Sequence, residues 1–176
     1  VGSIWARRRG GLAGDSIAMD SIPQFTAETS DPYLFILAYE EGGVNENQLL
    51  FEIARYNFTN FMVRNFDIQF VKDGGIAMMQ IGEFMNYVEC RQYMKRLFAD
   101  ARLREKLEGM RAVLISKSNY ELLLKYYSFD DYQLFYEQQL DKLPMPVIDG
   151  YSFDEPQMLN ADEAERMEEE WEEVDE

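Results

Sequence analysis

The sequence predicts an α+β sandwich, and three observations carry that prediction. Ile76-Ala77-Met78-Met79-Gln80-Ile81 reads as a strand that hands over within a few residues to an amphipathic helix starting near Asn86. Asp73-Gly74-Gly75, just before that strand, is a tight-turn signal, because glycine supplies the positive φ that hairpins need. Tyr33-Leu34-Phe35-Ile36-Leu37-Ala38-Tyr39 is a continuous apolar run rich in β-formers, which suits a central strand. A connection as short as Asp73-Gly74-Gly75 forces an antiparallel hairpin and argues against the rival, a doubly wound parallel sheet.

The remaining elements follow in order. Asp31-Pro32 opens the first strand and Glu40-Glu41-Gly42-Gly43 breaks it. Asn45 starts a helical pattern in which Leu49, Leu50, Ile53, Ala54 and Phe58 share a side, ending near Asn60. Phe66-Asp67-Ile68-Gln69-Phe70-Val71 alternates apolar and polar residues, as a half-buried strand does. Asn86 is an N-cap; Glu89 stands at capping-box spacing, and Met85 and Cys90 at hydrophobic-staple positions. Cys90, Tyr93, Met94, Leu97 and Phe98 then form the stripe of a helix lying on a sheet, with a further turn through Leu103 and Leu107. Gly109 ends it, and Met110–Ser116 is the fourth strand. Asn119 caps a short helix; Ser128 caps an aromatic one from Asp130 to Leu140, stopped by Pro144 and Pro146.

The order β-α-β-β-α-β-α-α begins with the split βαβ, or ferredoxin-like, arrangement: an antiparallel four-stranded sheet with two helices on one face and extra C-terminal helices. The predicted core holds Leu50, Ile53, Tyr93, Met94 and Leu97. The free sheet face is either covered by the helices after Asn119, the favoured reading, or offered to a ligand. Residues 1–30, rich in Gly, Ser, Ala and Arg, read as a linker from an upstream region, residues 31–143 as the domain, and residues 144–176 as an acidic, flexible tail.

Composition narrows the chemistry. The chain has no histidine, which removes the commonest general base and metal ligand together. Cys90, the only cysteine, lies on the apolar stripe and reads as a buried structural thiol. The net charge of −16 divides unevenly: residues 151–176 carry 12 acidic side chains and one Arg, or −11, while the other 150 residues carry 21 acidic and 16 basic, or −5. Nucleic acid is not an expected partner, since binding its backbone requires a basic patch. Gly74-Gly75 lacks the lysine and following helix of a phosphate loop, and no acidic spacing resembles a calcium loop. The adjacent pairs Glu40/Glu41 and Asp130/Asp131 should diverge in space rather than share a cleft. No catalytic residue, metal site or cofactor is expected. No stretch is long enough to span a membrane, so no direct insertion is expected. Val1 and the Arg7-Arg8-Arg9 run, with no signal-peptide core after it, read as a fragment or the C-terminal part of a longer protein, in which any export signal would lie upstream.

Asp31-Pro32-Tyr33-Leu34-Phe35-Ile36-Leu37, Phe66-Asp67-Ile68, Met79-Gln80-Ile81-Gly82-Glu83-Phe84 and Ala112-Val113-Leu114-Ile115-Ser116-Lys117-Ser118-Asn119-Tyr120, with Tyr132, Phe135 and Tyr136 after them, form a recognisable series. Over residues 31–140 it resembles the C-terminal domain of the tetratricopeptide-repeat envelope lipoproteins of the gliding and type IX secretion machinery, the PorW/SprE-like proteins. The stretch from Met79 to Leu97 is also similar to the second half of a SPOR domain, a ferredoxin-like fold that binds peptidoglycan glycan strands. In the first half, Ile36–Glu41 replaces the strand end of that family, and no glycan-contacting residue carries over. The resemblance implies an envelope protein, periplasmic or associated with the outer membrane, with repeats and a lipid anchor upstream.

Three readings of function stand at this stage. The favoured one is a non-catalytic interaction domain with protein partners in an envelope complex; Trp171, Met167, Tyr39 and Phe84 are its candidate contact residues. The second is a SPOR-like module that binds peptidoglycan. The third is a small-molecule regulatory domain of the ACT type, which shares the fold.

Overall fold

The computed structural model describes residues 3–8, 21–61 and 64–143. Strand β1 (Tyr33–Glu40) leads to helix α1 (Glu46–Asn60). The hairpin of β2 (Asp67–Asp73) and β3 (Ile76–Phe84) follows, turning on Gly74 and Gly75 with φ of +61° and +86°. Next come α2 (Tyr87–Ala99), the single turn and a half of α3 (Ala101–Lys106), and β4 (Arg111–Ser116). Helices α4 (Lys117–Tyr126) and α5 (Phe129–Phe135) are the last described elements, α5 running into a π-helical turn at Tyr136–Leu140.

The sheet order is β2-β3-β1-β4 with every pair antiparallel. That is the α+β, ferredoxin-like arrangement expected from the element order. Strand alternation sends Tyr33, Phe35, Leu37 and Tyr39 to one face, where α1 and α2 cover them, and Ile36 and Ala38 to the other. The first face is a core of Leu49, Ile53, Tyr93, Leu97 and the β1 aromatics. The second is covered too, by Tyr120 and Leu123 of α4, Phe129 and Tyr132 of α5, and residues from before the first strand. The structure is therefore three layers deep around one sheet.

Local capping explains where helices start. Asn45 accepts from Gln48 N and Asn86 from Glu89 N, and Ser128 and Asp131 make a reciprocal capping box. The Asn86 start lacks its staple: Cys90 is fully buried but Met85 is 57% exposed. Helix α4 is capped by Ser116 rather than Asn119. Asn119 instead holds a distant segment, accepting from Thr26 N at 3.0 Å and donating to Thr26 O at 2.9 Å, as a neighbouring strand would.

That segment, part of the stretch the sequence reads as a linker, packs on the domain. Residues 21–30 run as an extended strap across the second face, with Ile22 buried and Phe25 4.4 Å from the Tyr127 ring. Tyr127 donates to Pro23 O, and Tyr87 N to Thr29 O. Further upstream, Trp5 meets Phe129 edge-on at 5.4 Å and lies 4.5 Å from the Arg111 guanidinium. Composition hid these contacts because an extended strap held by isolated anchors has no period to detect.

The predicted core is corrected at Leu50, and the predicted inner side of α1 at Phe58. Leu50 is exposed and Phe58 is 86% exposed, because α1 rolls Leu49, Glu52, Ile53 and Tyr56 onto the sheet instead. Met94 is half-buried against the core, whereas Ile53, Tyr93 and Leu97 are fully buried.

Candidate functional site

Tyr39 and Phe84, expected as partner contacts, are both interior. Tyr39 is on the helix-facing side of β1 and donates to Glu46 Oε2 at 2.6 Å; Phe84 packs between Phe66 and Tyr93 at 5.0 and 5.1 Å. Both rings are buried, because the alternation of their strands turns them under the helices. Met167 and Trp171 lie outside the described residues.

What sequence reasoning missed is on α1. Leu50, Phe51, Ala54 and Phe58 are spaced one and two turns apart and all are exposed, Phe51 by 61%. The row ends at a groove of about 500 Å³ bordered by Ala54, Phe58, Phe61 and Phe66, with Ile68 of β2 on its far wall. Strand β2, which contributes Ile68 to the groove, is an edge strand of the sheet. The signal was present in the sequence as a helix with more apolar residues than one buried stripe requires.

Behind the groove sits a buried ion pair. Arg64 Nη1 is 2.5 Å from Glu89 Oε1; the Glu89 side chain is fully buried and that of Arg64 17% exposed. Arg64 also donates to Glu83 O and lies over the Phe66 ring. Glu89 occupies the first turn of α2, where the helix dipole favours a negative charge. The clamp fixes the loop after α1 to the start of α2, and so shapes the groove wall.

The opposite sheet face is open at one end. Asp67, Gln69, Gln80, Glu83 and Lys117 border a polar depression of about 180 Å³ floored by Leu34 and Gly82. Gln69 and Gln80 are cross-strand partners, Gln80 Nε2 donates to Tyr120 Oη, and Lys117 Nζ pairs with Glu83 at 2.8 Å. A third feature is the furrow between α1 and α3, where Glu52 draws Arg102 to 3.2 Å and Lys106 to 3.8 Å.

The titratable groups are tied into packing. Burial pushes the Cys90 thiol, the Tyr93 phenol and the Tyr132 phenol up, and Tyr56 up to about 12. Tyr93 donates to Asn57 Oδ1 and Tyr132 to Leu114 O, so their hydroxyls serve as structural donors. Asp130 and Asp131 do diverge: the first pairs with Arg111, the second with Arg8 and Ser128 N. Among the described residues no group of three or more His, Cys, Asp or Glu side chains is placed to hold a metal ion, and no helix is long and apolar enough to cross a membrane.

No protein-family model, no curated protein and no solved structure matches the chain.

Proposed function

We propose that this chain is a non-catalytic protein-interaction domain of a bacterial cell-envelope assembly of the type IX secretion or gliding kind. The observation that carries the interaction reading is the row Leu50, Phe51, Ala54 and Phe58 beside the groove and the β2 edge. A helix that has already buried Leu49, Ile53 and Tyr56 does not need two more exposed phenylalanines for its own fold. An apolar segment of a partner protein, extended along β2 or laid against α1, would cover them. The envelope setting rests on the resemblance of residues 31–140 to the repeat lipoproteins.

A photo-cross-linking residue placed at Phe58 in the full protein in living cells tests the reading, with one at Glu121 of α4 as the control position. The expected result is a cross-link from position 58, absent from position 121, to a component of the envelope machinery. Cross-links from both positions alike, or only to cytosolic proteins, would sink it. Phe58→Ser should abolish the cross-linked association while changing stability by no more than about 0.5 kcal/mol, as an exposed substitution does.

The polar depression with Gln69, Gln80 and Asp67 favours a second reading, glycan binding, because planar amides and a carboxylate suit sugar hydroxyls. Sedimentation with purified sacculi separates the two: retention that rises after amidase removes the stem peptides, and falls in Gln80→Ala, supports the glycan reading.

A further inference from the structure

The acidity of this chain has a counterpart inside its own fold. Residues 91–106 carry six Arg or Lys and two Asp or Glu, in a protein with a net charge of −16. On α2, Met94 and Phe98 are one turn apart and half-buried, flanked by Arg91 and Lys95 at the same spacing. Arg104 of α3 closes the row, its guanidinium donating to Phe98 O at 3.2 Å. The result is a short apolar strip edged with cations.

The end of the described chain is anchored at the start of α2. Tyr136 Oη lies 2.9 Å from Tyr87 Oη in the first turn of α2. Asp141 N donates to Tyr136 O at 2.8 Å, so residue 141 is tied through that phenol pair to the first turn of α2, one turn before Arg91. From Leu143, the seven residues 144–150 can reach about 23 Å, roughly the length of the thirteen-residue α2. Beyond them stand 12 acidic side chains within 26 residues, with Met167 and Trp171 four apart among glutamates.

We propose that segment 151–176 docks on the domain's own α2–α3 face, setting Met167 and Trp171 against Met94 and Phe98 and its carboxylates against Arg91, Lys95 and Arg104. Local concentration favours this occupant over an acidic segment of another protein, since a short tether makes the encounter intramolecular. A free polyanionic partner would have to displace the segment to reach the same face. The inference stands independently of the envelope reading, because it involves only this chain.

The test uses the full chain carrying Trp5→Phe, which leaves Trp171 as the sole tryptophan. Its emission and its quenching by neutral acrylamide are followed from low to high salt. Docking predicts blue-shifted emission and weak quenching at low salt, a red shift and stronger quenching at high salt, and no dependence on protein concentration. The triple variant Arg91→Glu, Lys95→Glu, Arg104→Glu should show the high-salt behaviour at every salt concentration, with its far-ultraviolet circular dichroism unchanged. Should that variant lose its fold, the salt and concentration series on the otherwise unaltered chain decides alone. Quenching that is strong and salt-independent overturns the proposal. Protection that grows with protein concentration overturns it as well, by placing the segment on another copy.

Discussion

The two faces of the sheet are closed in different ways. Under α1 and α2 the packing is aromatic: Phe66, Phe84 and Tyr93 form a triangle of rings 5.0 to 5.3 Å apart, with Phe61 and Phe35 at its margins. Its cover comes from helices that connect the strands, so chain connectivity brings it into place. The other face is aliphatic at the sheet itself, with Ile36, Ala38, Ile76, Met78, Val113 and Ile115. Its aromatic cover arrives from outside the β-α-β-β-α-β unit, from α4 and α5 on one side and the strap on the other. One layer is thus intrinsic to the topology, and the other is assembled on it by long-range anchors such as Asn119 to Thr26.

The largest expected effect tests the intrinsic side. Arg64→Ala should cost about 3–5 kcal/mol in urea unfolding, because it leaves the Glu89 carboxylate buried without its guanidinium. A loss below about 1 kcal/mol would mean that the clamp behaves as a surface pair and that packing alone holds this face.

Leu97→Ala and Leu123→Ala compare the two layers directly, since both side chains are fully buried. Each should cost about 2–5 kcal/mol in a single cooperative transition. Two separate transitions in Leu123→Ala, the first releasing only the second layer, would show that the layers are energetically distinct units.

Trp5→Ala probes the outermost anchor and should lower stability by about 1 kcal/mol, the scale of an edge-on ring pair plus a cation–π contact. An unchanged melting temperature would detach the turn at Ile4–Ala6 from the second layer.

The smallest effect is a pH dependence. Burial raises the Asp131 carboxyl, but hydrogen bonds from Arg8 and Ser128 outweigh it and hold the group below its usual 3.8. A lowered folded value means that its stabilisation is present at neutral pH and is lost as pH falls below 3.8 through that lowered value. Melting temperatures from about pH 6 to about pH 3 should therefore fall slightly more steeply in the wild type than in Asp131→Asn. Parallel curves would show that the Arg8 contact adds nothing.

Features written in local spacing were legible. The Asn45, Asn86 and Ser128 caps, the Gly74-Gly75 turn and the alternation of β2 each state their own geometry, and together they suffice for the order of the first six elements. Rotation was not legible on α1. Two apolar stripes overlap there, and which one faces inward depends on the fit of Leu49 and Tyr56 to a sheet the helix has not yet met. The strap was not legible either, because Ile22, Phe25 and Thr26 owe their placement to residues about a hundred positions away. The candidate surface followed the same rule: Phe58 was visible as apolar, and only the fold reveals that it faces outward, whereas Tyr39 and Phe84 were visible as aromatic and face inward.

The Asn119–Thr26 pairing spans 93 residues of chain. A ribosome adding about 5–20 residues per second makes Thr26 roughly 5–20 s before its partner exists. The strap is thus synthesised early and seated late, after α4 has formed its turn around Asn119. Throughout that interval the aliphatic side of the nascent sheet has no lid, and β1 emerges with Ile36 and Ala38 bare. Any factor that shields nascent hydrophobic surface has a defined window on this protein, opened by the first strand and closed by the last helices.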